Sequence, residues 1–208
     1  MEVESSKKYN GFLMKRIFDF FAALLGLILL SPLWILIALA ILVDSKGGVL
    51  YVSKRVGQNE RLFDFFKFRT MRPNKDKSGI TVGNKDPRIT KVGYILRKYK
   101  LDEIPQLINV LKGDMSIVGP RPDIPGYNPY YKRVFDKYYQ IKPGITSYSS
   151  IFFSNESELY KNSPNPEKEY IEKTIPKKVE LDKAYFNNQN LITDIKILIK
   201  TVKKVIQN

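Results

Sequence analysis

The chain has no cysteine and no histidine among its 208 residues. Those two absences exclude disulfides, zinc sites of the Cys/His kind, cysteine nucleophiles and histidine acid-base catalysis together. Acidic residues are also scarce relative to basic ones: 21 Asp and Glu face 35 Lys and Arg, a formal charge of +14. Internal repeats and low-complexity segments are absent as well. The length suits one compact domain, and the charge suits an anionic partner: nucleic acid, a membrane surface or a phosphorylated small molecule. An enzyme of this composition must work with carboxylates, lysines, hydroxyls and arginines. Any metal would be a hard cation held through oxygen, with Mg²⁺ the leading candidate.

What is present in quantity is apolar sequence near the start. From Phe20 to Val43, "FFAALLGLILLSPLWILIALAILV", roughly 24 residues pass without a charge. One straight helix of that length reaches about 36 Å, enough to cross a bilayer core of about 30 Å. Two features favour a different path. Ser31-Pro32 falls in the middle, where proline removes a backbone donor and clashes with the preceding turn, so a kink or break is expected there. Lys7, Lys8, Lys15 and Arg16 precede the run and Lys46, Lys54 and Arg55 follow it. Basic flanks prefer the cytoplasmic side, so both ends are satisfied if the segment enters and returns as a re-entrant helix-break-helix. Each limb would be roughly 16 to 21 Å long, about one leaflet deep. The run is too long for a cleaved signal peptide, and no small-residue cleavage site follows it. The expected organisation is a membrane segment over residues 1–45 and a catalytic domain over 46–208, in an α-rich α+β fold.

After the apolar run, Val49–Ser53 and Leu62–Phe68 read as a β-hairpin around Gly57-Gln58-Asn59. Alternation in the second strand puts Lys67 and Arg69 on one face, where they could meet a phosphate or simply be solvated. Residues 72–90, rich in Gly, Pro, Asn, Asp and Lys, read as a mobile surface loop. Helical spacing at Val92, Ile95, Leu96 and Tyr99 predicts a short helix. Two later segments read as basic amphipathic helices: Tyr127, Tyr131, Val134, Phe135 and Tyr138 share one face, and Leu191, Ile195, Leu198, Val202 and Val205 another. Each suits either a soluble core or a lipid surface, and a neighbouring membrane segment favours the interface.

The acids that stand out are Asp102 and Glu103 in "KLDEIPQL". Proline is tolerated in a first helical turn, so Pro105 predicts a helix starting near Leu101 or Asp102 and ending by Gly113. At such an N-terminus both acids could serve only as cap and first-turn residues. The same position also keeps a carboxylate ionised and can hold phosphate oxygens. An ionised carboxylate facing a phosphate can be a nucleophile, and its neighbour can share a Mg²⁺. Arg121, fixed between Pro120 and Pro122, suits bidentate phosphate binding. Arg97 and Arg88 could add to the same positive pocket.

The run "DPRITKVGYILRKYKLDEIPQLINVLKGDMSIVGPRP" closely resembles the bacterial sugar transferases, the monotopic phosphoglycosyl transferase family. The likeness extends over almost the whole chain: "KRIFDF", the Ser-Pro-broken apolar run, "KFRTM", the Asp-Glu pair, Pro-Arg-Pro, "KPGIT", and the closing "LDKAYF" and "DIKILIKTV". The resemblance implies a re-entrant helix opened at Ser31-Pro32, with the globular part on the cytoplasmic face of the bacterial inner membrane. The implied reaction moves a sugar 1-phosphate from a nucleotide diphosphate sugar, usually a UDP-sugar, to undecaprenyl phosphate, releasing the nucleoside monophosphate. It would be the first membrane step of glycoconjugate assembly. In the family the aspartate of the pair forms a covalent phosphosugar intermediate and Mg²⁺ assists; here these roles fall on Asp102 and Glu103. The phosphate-contacting cations map onto Lys67, Arg97 and Arg121, and Asp182 matches a family acid near the site. Many members follow "PGIT" with Gly-Trp-Ala-Gln and then a Gly-Arg pair. This chain instead carries a longer polar segment containing Glu156 and Glu158. It is expected to be a minimal version, without the multi-span N-terminal domain of larger members, and action alone or as a homodimer both stay open.

Two other readings compete. A nucleic-acid-binding protein would use interleaved Lys, Arg, Tyr and Phe, but such proteins rarely carry a long apolar run. A membrane-anchored phosphate-binding scaffold without catalysis would use Asp102 and Glu103 only as a helix cap.

Overall fold

The computed structural model describes residues 2–72 and 86–207. Most of the segment read as a mobile loop, 73–85, lies outside the described residues. Helix α1 runs from Glu2 to Asp44, and its portion Phe12–Asp44 is apolar and long enough, at 33 residues, to cross a membrane. The expected interruption at Ser31-Pro32 is not an interruption of the helix: helical backbone continues through Pro32. The local chemistry explains the tolerance. Pro32 has no N–H to offer the Ile28 carbonyl one turn back, and the Ser31 hydroxyl donates to that carbonyl at 2.8 Å.

One side of α1 is docked and the other is bare. Ala23 is fully buried with Phe63, Phe65, Val110 and Met115, while Ile37 and Ile41 pack with Phe68 and Leu96. Leu25, Ile28, Leu29, Ile35, Leu36 and Val43 face outward. The stretch from Arg16 to Asp44 is tied to the globular body at both of its limits. Arg16 donates to the Val110 and Leu111 carbonyls at 2.6 and 2.8 Å, and Asp44 accepts from the Val92 N–H at 2.8 Å.

The hairpin expected after α1 is present, with β1 at Leu50–Val56 antiparallel to β2 at Leu62–Phe68 and Tyr51 opposite Lys67. Helix α2, Lys91–Lys98, is capped by Thr90, whose hydroxyl accepts from the Gly93 N–H at 2.9 Å. Gly93 lies so close to the backbone at Thr70 that a Cβ there would sit 2.1 Å from the Thr70 carbonyl oxygen. The helix predicted from Leu101 or Asp102 is divided. A 3₁₀ turn spans Leu101–Glu103, and α3 begins only at Gln106, running to Lys112. Gly113 closes it in the left-handed region at φ 88°. Asp102 and Glu103 therefore sit in their own turn, ahead of α3.

The chain continues through β3 at Ser116–Val118, α4 at Asn128–Val134 and β4 at Gly144–Thr146; β3 and β4 pair in parallel. Short helices α5, Tyr148–Phe152, α6, Glu156–Leu159, and α7, Pro166–Glu169, precede α8 at Ile175–Asn187 and α9 at Leu191–Ile206. The tyrosine-rich segment expected at an interface is instead core. Tyr131, Tyr138 and Tyr139 are buried against Tyr170, Ile175 and Val179. Two of the three hydroxyls find partners: Tyr131 bonds Tyr170 at 3.1 Å, with Tyr170 donating to Asp123 at 2.5 Å, and Tyr138 donates to Asp182 at 3.4 Å, while the Tyr139 hydroxyl has none among the described residues. Helix α9 behaves differently. Ile197 is buried, while Ile192, Ile195, Ile199, Val202 and Ile206 form an exposed stripe. It is anchored to α1 by a buried ion pair, Lys15 to Asp194 at 2.6 Å.

Candidate active site

The 3₁₀ turn holding the acids is set by Lys100, which adopts the left-handed conformation at φ 56°. Beyond it the side chains of Asp102 and Glu103 turn toward a cavity of about 870 Å³ whose charged wall also includes Lys67, Arg97, Lys100 and Arg121. Glu103 is gripped by Arg121 in a fork: Nη1 donates to Oε2 at 3.0 Å and Nη2 to Oε1 at 2.6 Å. Lys67 adds 3.1 Å to Glu103 Oε1 and 3.4 Å to Asp102 Oδ2. Burial pushes the Glu103 pKa up, but Arg121, Lys67 and Lys100 outweigh it and hold this carboxyl well below the usual range. Burial lowers Lys100, with Glu103 working the other way.

Asp102 is treated differently. Its side chain is only 7% exposed, yet among the described residues its single hydrogen-bond partner is Lys67, and Oδ1 has none. Neither the 3₁₀ turn nor α3 has a side-chain cap. The carboxylate is not spent on capping and is available to the cavity.

The remaining sequence candidates divide. Arg97 lines the cavity, steadied by a bond from Nε to Thr70 Oγ1 at 3.0 Å. Arg69 does not share the Lys67 face in any useful sense. β2 ends at Phe68, and the Arg69 guanidinium turns under the end of α1, donating to Ser45 Oγ, Ser45 O, Lys46 O and Gly48 O at 2.5 to 2.9 Å. It satisfies carbonyls of the segment that follows α1 and is not among the cavity-lining residues. Arg88 forms an ion pair with Asp86 at 2.6 Å and is not on the wall either. Asp182 is fully buried behind the wall, accepting from the Ser149 N–H at 3.1 Å, the Ser149 hydroxyl at 2.7 Å and the Tyr138 hydroxyl at 3.4 Å. It positions α5, which does line the cavity.

The sequence reasoning missed Lys100 and Lys178 as lining residues. Lys100 donates to the Ser154 carbonyl at 2.8 Å, a contact 54 residues away with no local signature. It also missed that one side of the cavity is apolar, formed by Leu30 of α1, Leu107 of α3, Ile145 of β4, and Val202 and Val205 of α9. The cavity thus joins a charged wall to a slot that opens beside the apolar helix.

Residues 10–208 match the model of a family described as bacterial sugar transferase. The chain belongs to that family. As a bacterial sugar transferase family member it is similar to UDP-glucose:undecaprenyl-phosphate glucose-1-phosphate transferase of Escherichia coli K12, at 39% identity over 196 residues, covering 92% of this chain and 40% of the relative. It is 36% identical to the undecaprenyl-phosphate glucose phosphotransferase of Komagataeibacter xylinus, covering 93% of this chain and 36% of the other. The sugar transferase EpsL of Bacillus subtilis is also 36% identical, with 93% and 88% covered. This family member therefore spans about two fifths of the first two relatives' length and most of the third's.

Proposed function

We propose that this protein transfers a sugar 1-phosphate from a UDP-sugar to undecaprenyl phosphate at the cytoplasmic face of the bacterial inner membrane. The observation that carries the reading is Asp102: a buried carboxylate, not used as a helix cap and with one oxygen unpartnered, in a cavity whose wall around it carries Lys67, Arg97, Lys100 and Arg121. Its oxygen would attack the β-phosphorus of the donor, and the bond to the bridging oxygen would break, releasing UMP and leaving the phosphosugar on the carboxylate. A phosphate oxygen of the lipid acceptor would then attack the same phosphorus and free Asp102 again. Arg97 and Lys67 would hold the donor's phosphate oxygens, and the Glu103–Arg121 fork would keep both partners aligned. The names of the relatives, which pair UDP-glucose or undecaprenyl phosphate with phosphosugar transfer, support the choice of substrates.

A Mg²⁺ fits the donor set. Two adjacent carboxylates offer only hard oxygen, Asp102 Oδ1 is free, and no cluster of three or more acids exists among the described residues to complete a site without substrate. Asp102 would hold it through Oδ1 together with donor phosphates, Glu103 contributing through the side of Oε2 that its single bond from Arg121 leaves open, and it would supply neutralisation of phosphate charge.

A monotopic, re-entrant placement of α1 draws support from its ends. The same globular body binds Arg16, just before the charge-free run, and Asp44, just after it. A helix spanning the bilayer would put those ends on opposite sides. Ser31 lets Pro32 sit within the helix in lipid by satisfying the Ile28 carbonyl. The exposed apolar stripe of α9, flanked by Lys196, Lys200, Lys203 and Lys204, would lie on the anionic leaflet beside it.

The test is release of UMP from a panel of UDP-sugars by purified protein with undecaprenyl phosphate and Mg²⁺, for wild type and Asp102→Asn. Release by wild type alone supports the reading. Equal release by both proteins removes Asp102 from the chemistry, and no release across the panel removes the transferase reading.

A further inference from the structure

The cavity has a second polar wall that phosphate chemistry does not require. Lys100 ties the Ser154 carbonyl to the turn carrying the acids, and two residues later Glu156 opens α6 on the cavity surface. One of its oxygens is fixed: Oε1 forms an ion pair with Lys178 Nζ at 2.7 Å and accepts from the Tyr160 hydroxyl at 3.4 Å. Lys178 is itself buried, donating to the Tyr170 hydroxyl at 3.3 Å and lying 4.7 Å from the centre of that ring. The other oxygen, Oε2, has no hydrogen-bond partner among the described residues. Ser149, Ser150 and Asn155 share this wall.

A carboxylate only accepts hydrogen bonds, so a ligand atom settling on Oε2 must be a donor. Phosphate oxygens are repelled by it. The donors a UDP-sugar can offer are the hydroxyls of the pyranose and the ribose, the uracil N3–H and, in the acetamido sugars, an amide N–H; the hydroxyls are the most numerous of them. We infer that Glu156, held in place by Lys178, is a specificity residue that accepts hydrogen bonds from hydroxyls of the nucleotide-sugar donor. This rests on the donor reading of the cavity. It also gives a use to the polar segment by which this chain departs from the Gly-Trp-Ala-Gln pattern.

The experiment is titration calorimetry in an Asp102→Asn background, with and without Glu156→Gln, using UDP-glucose, UDP-N-acetylglucosamine, UDP and 2′-deoxy-UDP. The glutamine keeps shape and an oxygen facing Lys178, but it gives up the ion pair and donates where the carboxylate accepted. A thermal melt of each protein checks that both are folded. Affinity for the UDP-sugars is expected to fall at least about tenfold. A loss confined to the UDP-sugars assigns the pyranose hydroxyls; a loss shared by UDP and missing for 2′-deoxy-UDP assigns the ribose 2′-hydroxyl; a loss of equal size for all four ligands places the contact on a group common to them, such as the uracil N3–H, and overturns the inference. Changes under about twofold for every ligand, or no binding of any, overturn the inference. UMP release by wild type, run in parallel, reports the transferase reading separately: release with Glu156-independent binding removes only this inference, and Glu156-dependent binding without release removes only the transferase reading.

Discussion

Replacing Arg121 with methionine isolates the fork that grips Glu103. The substitution keeps much of the side-chain volume and removes two charge-assisted hydrogen bonds at 2.6 and 3.0 Å. Glu103, with a side chain 14% exposed, is left in the wall with Lys67 at 3.1 Å as its remaining partner. Breaking a buried pair by removing one member costs roughly 3–5 kcal/mol, and the surviving lysine places this case near the lower end, about 3 kcal/mol. For a protein of this size each kcal/mol moves the melting temperature by roughly 2–4 °C, so a fall of roughly 6–12 °C is expected in detergent-solubilised protein followed by intrinsic fluorescence. The pH dependence carries a sign. In wild type the Glu103 pKa lies below its unfolded value, so its contribution is present above about pH 4.3 and is lost as pH falls through the folded value. Arg121→Met leaves burial less opposed and raises the folded pKa. The gap between the two proteins is therefore widest near neutrality and narrows on acidification. A variant melting within about 2 °C of wild type at pH 7, or a gap that widens in acid, refutes the reasoning.

Gly93→Ala would put a methyl 2.1 Å from the Thr70 carbonyl oxygen, so α2 must move; reduced thermal stability and weaker donor binding through a displaced Arg97 are expected by melt and titration. Asp182→Ala strips the buried Ser149 N–H of its acceptor, costing about 1–3 kcal/mol, whereas Asp182→Asn retains an acceptor and should keep most stability and turnover. Loss of turnover in Asp182→Asn at unchanged melting temperature would instead place Asp182 in the chemistry. Ser31→Ala leaves the Ile28 carbonyl without the Ser31 donor and should cost about 1 kcal/mol in bilayer nanodiscs, read as a lowered melting temperature.

The central acids were legible because chemistry and punctuation coincide there: two carboxylates in a basic chain, just before a proline, and an arginine locked between two more. Family resemblance then supplied their order. Arg69 departs from the expected face because alternation counts residues along a strand but does not say where the strand ends; the chain leaves β2 at Phe68, and the guanidinium turns to the carbonyls of Ser45, Lys46 and Gly48 just past α1. The Tyr127–Tyr138 face was legible as apolar, yet periodicity carries no information about what covers it, and Tyr170 and Val179 do. Contacts such as Lys15 to Asp194, 179 residues apart, and Lys100 to Ser154 have no local pattern at all. The Asp182 position was identifiable, but its role as an acceptor for Ser149 depends on α8 passing behind α5.

Intact-mass and peptide analysis of wild type incubated with a turned-over UDP-sugar and Mg²⁺, but no lipid acceptor, tests the central claim most directly. The account predicts a phosphosugar adduct on the peptide containing Asp102, absent in Asp102→Asn and discharged when undecaprenyl phosphate is added. Turnover with no adduct, or an adduct on another residue, would contradict it.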